Sequence, residues 1–222
     1  MQQMPAHRWL KMVLFLLLAC IAQQAGAHTI NYALEGAPAQ HVVWYYLKLG
    51  FQHILPEGLD HILFIIGLCL ITTRIKTMLW QATAFTVAHT ITLALTMKNV
   101  IVAPSALVEP IIALSIMFVA VENILIAEVK PWRIAVVFLF GLIHGMGFAN
   151  SLNEIGLPPD KFYTSIIAFN AGVEIGQIAV IAAVFGLLIV PLRNKSWYKK
   201  RIVVPLSLLI ALIALYWTIE RL

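Results

Sequence analysis

Six apolar segments recur along this chain, at about residues 57–73, 77–97, 105–127, 132–152, 162–191 and 202–220, joined by short connections that carry Arg, Lys, Pro or Asn. Each approaches or exceeds the roughly 20 residues that an α-helix needs to cross about 30 Å of hydrocarbon. Backbone amides in hydrocarbon must find partners within their own segment or in a closed barrel, so segments of this length predict helices. They take up most of the 222 residues, of which 61% are hydrophobic and 11% charged; a soluble domain has roughly 45–50% and 25%. The predicted fold is all-α, a polytopic membrane helical bundle, and a soluble globular domain is excluded.

Ahead of the first segment, Arg8 and Lys11 precede an apolar run from Met12 to Ala22, and Ala25-Gly26-Ala27 has the small-x-small pattern of a signal-peptidase site. The expected organisation is a cleaved signal peptide at 1–27, an exported N-terminal loop and interfacial helix at 28–56, and a six-helix transmembrane domain at 57–222. From His41 to Leu55 the aromatics Trp44, Tyr45, Tyr46 and Phe51 mix with Lys48, Gln52 and His53. That mixture predicts an amphipathic helix lying at the membrane surface or packed over the outer mouth of the bundle.

Basic residues set the expected orientation. One side collects nine, Arg74, Lys76, Lys130, Arg133, Arg193, Lys195, Lys199, Lys200 and Arg201; the other collects four, Lys48, Lys98, Lys161 and Arg221. The first side is expected in the cytoplasm, which puts the mature N-terminus and the C-terminus both on the outer side. The formal charge of +5 is explained by these short clusters, so no nucleic-acid partner is expected. Cys20 and Cys69 form no disulfide framework, and the sequence carries no signature of oligomeric state.

Ionisable groups inside spans are costly and need a partner or a purpose. The first segment carries Asp60 and His61, the second His89, the third Glu109 and Glu122-Asn123, the fourth His144, and the fifth Asn170 and Glu174. At about 1.5 Å per residue, Asp60, His61, Glu109, His89 and His144 fall in one layer one to two turns below the outer surface, and His53 reaches it from above. Thr86, His89, Thr90 and Leu93 share one helix face, and Gly141, His144, Gly145 and Phe148 share another. Gly141 and Gly145, like Gly172 and Gly176, let a neighbouring backbone approach closely.

Imidazole with carboxylate suits a borderline divalent metal such as Ni, Co, Zn, Cu or Fe, and the scarcity of thiolates argues against Cu(I) or an iron–sulfur cluster. His53, Asp60, His61, His89 and His144 are the candidate ligands, with Asp60 either ligating or orienting an imidazole. Glu109 is a candidate for ligating the metal or tuning the site, and His28 would become a chelating N-terminus after cleavage at Ala27. Plainer readings stand beside these: Asp60 and Glu109 also suit helix caps, Glu122-Asn123 suits a helix-to-helix clamp, and Asn170 and Glu174 suit either a clamp or a polar pathway. A proton relay uses the same residue types.

The stretches His53-Ile-Leu-Pro-Glu-Gly-Leu-Asp60-His61, Phe85-Thr-Val-Ala-His89, Val108-Glu109-Pro110, Glu122-Asn123 and Phe140-Gly-Leu-Ile-His144-Gly-Met-Gly-Phe-Ala149 together resemble the second, more divergent branch of the HupE/UreJ family of bacterial membrane proteins. The resemblance implies six spans after a cleaved leader. In the better-understood branch it implies nickel or cobalt entry serving hydrogenase or urease, with a metalloenzyme maturation system as possible partner. The leading expectation is a permease for a divalent transition metal, with no catalytic site. The alternatives are a membrane metalloprotein that keeps its ion, as oxidoreductase or assembly factor, and a proton-relay or structural subunit.

Overall fold

The computed structural model describes Leu34 and residues 36–126 and 128–222; the expected leader 1–27, its cleavage point at Ala27, and His28 lie outside the described residues. The bundle is built from α1 (Ala39–Ile54), α2 (Leu59–Leu70), α3 (Ile75–Met97), α4 (Ser105–Leu125), α5 (Arg133–Ile155), α6 (Phe162–Val184) and α7 (Val204–Glu220). A π turn at Phe185–Ile189 carries α6 on into Val190–Leu192, and another at Lys199–Val203 leads into α7. Each π turn stands just ahead of a proline, Pro191 or Pro205. Proline donates no N–H and its ring presses on the carbonyl four residues back, so the preceding turn opens.

Among the described residues, five helical stretches are long and apolar enough to cross a membrane: α3, α4, α5, Pro159–Leu192 containing α6, and Lys199–Glu220 containing α7. The first expected span differs. α1 and α2 pass the same test only as a pair, bent by 66° at their junction. α2 has 12 residues, about 18 Å at 1.5 Å per residue, which falls short of about 30 Å of hydrocarbon. Every residue from His61 to Leu70 is buried except Ile66, as expected of a helix that is apolar all round and sits inside a bundle. Its Phe64 and Leu68 pack with α3, α4, α5 and α7, while Ile62, Ile65 and Cys69 pack with α1, α3, α5 and α6.

α1, expected at the membrane surface or over the mouth, lies along α6. Val42, Tyr46, Gly50 and Ile54, spaced by four, form its buried face. A Cβ on Gly50 would overlap the carbonyl oxygen of Phe169, and one on Gly172 would overlap that of Leu47. The two helices therefore meet backbone to backbone, the approach that small residues permit. α3 and α5 meet in the same way: Gly141 faces the backbone of Phe85, and Gly145 faces the carbonyl of His89 and the hydroxyl of Thr92. These two pairs, with α4 against α7, are the most extensive in the bundle, and none joins helices adjacent in sequence.

Gly172→Leu is expected to force α1 off α6. Its cost should exceed the roughly 1–3 kcal/mol of ordinary overpacking, because the obstacle is backbone and not a movable side chain. Thermal unfolding of the detergent-solubilised variant measures it.

Candidate metal centre

The bend between α1 and α2 builds the first half of the site. Leu55 and Gly58 donate backbone N–H groups to Phe51 and Ile54, and Ile62 donates to Gly58, so the chain turns through its 66° bend within a few residues. Gly58 lies against the carbonyl of His53, where a Cβ would collide with it. This close turn brings His53, at the end of α1, to a ring-centroid distance of 4.7 Å from His61, in the first turn of α2.

The glycine-mediated contact of α3 with α5 supplies the second half. His89 stands 6.1 Å from both His53 and His61, and His144 stands 5.2 Å from His61, centroid to centroid. One ligand nitrogen from each of His53, His61 and His89 lies within 4.8 Å of the others. Three nitrogens around one ion at about 2.0–2.1 Å stand on the order of 3.4 Å apart in tetrahedral geometry, so the rings must draw in by about 1 Å to close on a metal.

Hydrogen bonding decides which nitrogen each ring offers. The Asn170 amide nitrogen donates to the Ile166 carbonyl at 2.9 Å, which turns its oxygen to His89 Nδ1 at 3.0 Å. An amide oxygen only accepts, so His89 carries its proton on Nδ1 and leaves a lone pair on Nε2. His144 Nδ1 donates to the Phe140 carbonyl at 2.8 Å, with the same result. The Nε2 atoms of His53, His61, His89 and His144 are all buried with no hydrogen-bond partner among the described residues. Buried polar groups are rarely left this way without a ligand or a function to explain them, and four in one cluster fit the donor set of a nitrogen-preferring divalent metal.

Aromatic rings surround the imidazoles. Phe148 lies 3.8 Å from His53, Phe85 lies 4.8 Å from His144 and 5.7 Å from His61, Phe169 lies 5.5 Å from His53, and Phe64 lies 5.6 Å from His144. His53, His61 and His144 line the inner end of a cleft of about 630 Å³ whose wall also bears Glu57, Asp60, Glu109, Glu220 and Arg221. His89 is fully buried behind them.

The remaining expected residues fall in three places. Asp60 is held by Arg221, which donates from two guanidinium nitrogens to its two oxygens at 3.1 Å each. Glu109 is exposed on the cleft wall. On the α3–α6 face, Thr83 donates to Glu174 at 2.6 Å and Thr86 to Gln177 at 3.2 Å, beside the pairing of Asn170 with His89.

Glu122 and Asn123 lie elsewhere, around Arg133. The Arg133 Nε is 3.2 Å from Glu122, its two terminal nitrogens are 3.3 Å from the Asn123 oxygen, and the Asn123 amide donates to the Gly67 carbonyl at 2.7 Å. Arg133, counted in the sequence among loop charges, is 1% exposed. Its burial was foreshadowed by Glu122-Asn123, which needed a cation from a neighbouring helix end.

Asn170→Leu should lower metal affinity about 10–100-fold, the usual effect of losing the group that orients a ligating imidazole. Asn170→Asp, which retains an acceptor for Nδ1–H, should lose less. Isothermal titration with Ni²⁺ or Co²⁺ reads both.

A family profile described as HupE / UreJ protein matches residues 27–221. No curated protein and no solved structure matches the chain.

Proposed function

The chain belongs to the HupE/UreJ family, and from that premise we propose that it is an inner-membrane permease that captures a divalent transition metal of the nickel/cobalt class through His53, His61, His89 and His144. The observation that carries this reading is that four histidine rings whose buried Nε2 atoms have no partner among the described residues pack into one cluster, three of them with ligand nitrogens within 4.8 Å of one another and two with the other nitrogen already spoken for. Neutral imidazoles suit these metals, and an open set of nitrogens suits a cargo that must leave again.

The cleft supports capture. Glu57, Asp60, Glu109 and Glu220 line it against one Arg221, a balance that draws cations. The positive-inside argument puts this cleft on the periplasmic side, with Arg74 and Lys130 around a second cleft of about 580 Å³ on the cytoplasmic side. Thr86 and Gln177, next to His89 and Asn170, offer polar groups along the α3–α6 face for inward passage. A membrane potential is worth about 2.3 kcal/mol per charge per 100 mV, so a divalent cation gains about twice that on moving inward.

The phenylalanines around the imidazoles favour one second reading, a protein that retains its metal, because they shut out competing water. Elemental analysis after a chelator wash, together with uptake of Ni²⁺ and Co²⁺ into proteoliposomes, separates the two. The permease reading expects metal that washes out and uptake that responds to a negative interior potential. Near-stoichiometric metal that survives the wash, with no uptake, would overturn it in favour of retention. A protein that neither binds nor moves metal would remove both.

A further inference from the structure

The ion pair between Asp60 and Arg221 stands in an unusual place. Asp60 immediately precedes His61 in the chain and shares the cleft with it, yet both its oxygens are taken by the guanidinium of Arg221. An arginine cannot lose its charge and matches a carboxylate in two parallel hydrogen bonds. A permanent cation therefore sits on the carboxylate that an incoming metal ion would meet beside the histidines.

The pair is also built to open. Both side chains are about a quarter exposed, 22% and 25%, and ion pairs this accessible contribute little on their own. Arg221 caps the last turn of α7 and lies outside the helix proper. Besides Asp60, the guanidinium has the Trp217 ring at 5.2 Å. It can swing away without shifting a helix.

We propose that Arg221 is a cationic latch on the metal cleft: it occupies Asp60 while the cleft is empty of cargo, is displaced when a divalent cation takes Asp60 as a ligand beside His61, and speeds release by returning. The proposal rests on reading the histidine cluster as a metal site. In this mechanism the metal and the arginine compete for one carboxylate, so the latch keeps affinity low and exchange fast.

The test compares Ni²⁺ binding to the detergent-purified full chain with that of Arg221→Gln, Arg221→Lys and Asp60→Asn/Arg221→Gln. The latch expects Arg221→Gln to bind about tenfold tighter or more and to release metal correspondingly slower, with lower KM and lower maximal uptake in proteoliposomes. Arg221→Lys should lie between, and the double variant should lose the gain. Unchanged or weaker binding in Arg221→Gln, or a gain that survives in the double variant, would overturn the latch. An arginine that merely braced the helix ends would weaken binding on removal, never tighten it.

Should Arg221→Gln fail to fold, the parent protein carries the test through phenylglyoxal modification of Arg221, quantified by mass spectrometry. Ni²⁺ should raise its rate several-fold, and an unchanged rate sinks the proposal. His61→Leu serves as the control for the premise. If it loses binding while Arg221→Gln is unaltered, the latch alone fails; if it binds as the parent does, the metal site itself is misassigned.

Discussion

His61→Leu is expected to lower metal affinity by at least about 100-fold, beyond the roughly 10–100-fold that an orienting partner is worth, while leaving the metal-free protein as stable as the parent or more so. The second half of this result discriminates. His61 is 6% exposed and its Nε2 is buried without a partner among the described residues; an unmade hydrogen bond of that kind costs about 1–3 kcal/mol. Leucine has nearly the same volume, presents no polar atom, and would sit among Phe64, Phe85 and the other rings. If the imidazole were there for packing, its loss would destabilise the helix junction; if it were there to ligate, the apoprotein is relieved of a burden that only cargo offsets. Thermal unfolding of metal-free protein beside isothermal titration with Ni²⁺ measures both halves. A loss of stability with unaltered binding would assign His61 to the core.

What could be read in the sequence was what helical phase and depth determine. His89 and His144 were legible as inward-facing at one level because rise and period per residue are nearly constant, and Gly141, Gly145, Gly172 and Gly176 were legible as close-approach faces for the same reason. The partner of each face was not legible. Gly172 meets α1 and Gly145 meets α3 through pairings between helices distant in sequence, which no local pattern encodes. That α2 is too short to cross alone and passes as a span only together with α1 was not legible, because a short helix enclosed by protein and one facing lipid are both uniformly apolar. The pairing of Asp60 with Arg221 was not legible, because nothing local foretells that the end of α7 packs against the start of α2. The phenylalanines around the cluster carry no signal as a set in the sequence, since phenylalanine is ordinary in any apolar segment and only their convergence on His53, His61 and His144 is informative.

Arg133→Met should destabilise the protein by about 3–5 kcal/mol, the usual result of stranding one member of a buried ion pair. Glu122 is 7% exposed and Arg133 is its 3.2 Å ionic neighbour; without it, a carboxylate remains in a setting that strongly disfavours charge. The pair is not well satisfied even in the parent, since among the described residues neither Arg133 Nε nor either Glu122 oxygen has an aligned hydrogen bond. For that reason the companion variant Glu122→Leu/Arg133→Met is expected within about 1 kcal/mol of the parent, because buried pairs replaced together by apolar residues lose little. Thermal unfolding in detergent reads both variants, and a double variant as unstable as the single one would assign the loss to packing of the arginine stem. Metal binding by the folded fraction should be unaltered in either. Arg133 lies 11 residues before His144 on α5, about 16 Å along the helix axis, and the network it organises ties α5 to α4 and to the Gly67 carbonyl of α2. The same short helix is thus fastened at both ends by arginine, to Arg133 through Asn123 and to Arg221 through Asp60. The buried fastening is fixed in place by the cost of breaking it, whereas the exposed one next to His61 can be undone by a cation.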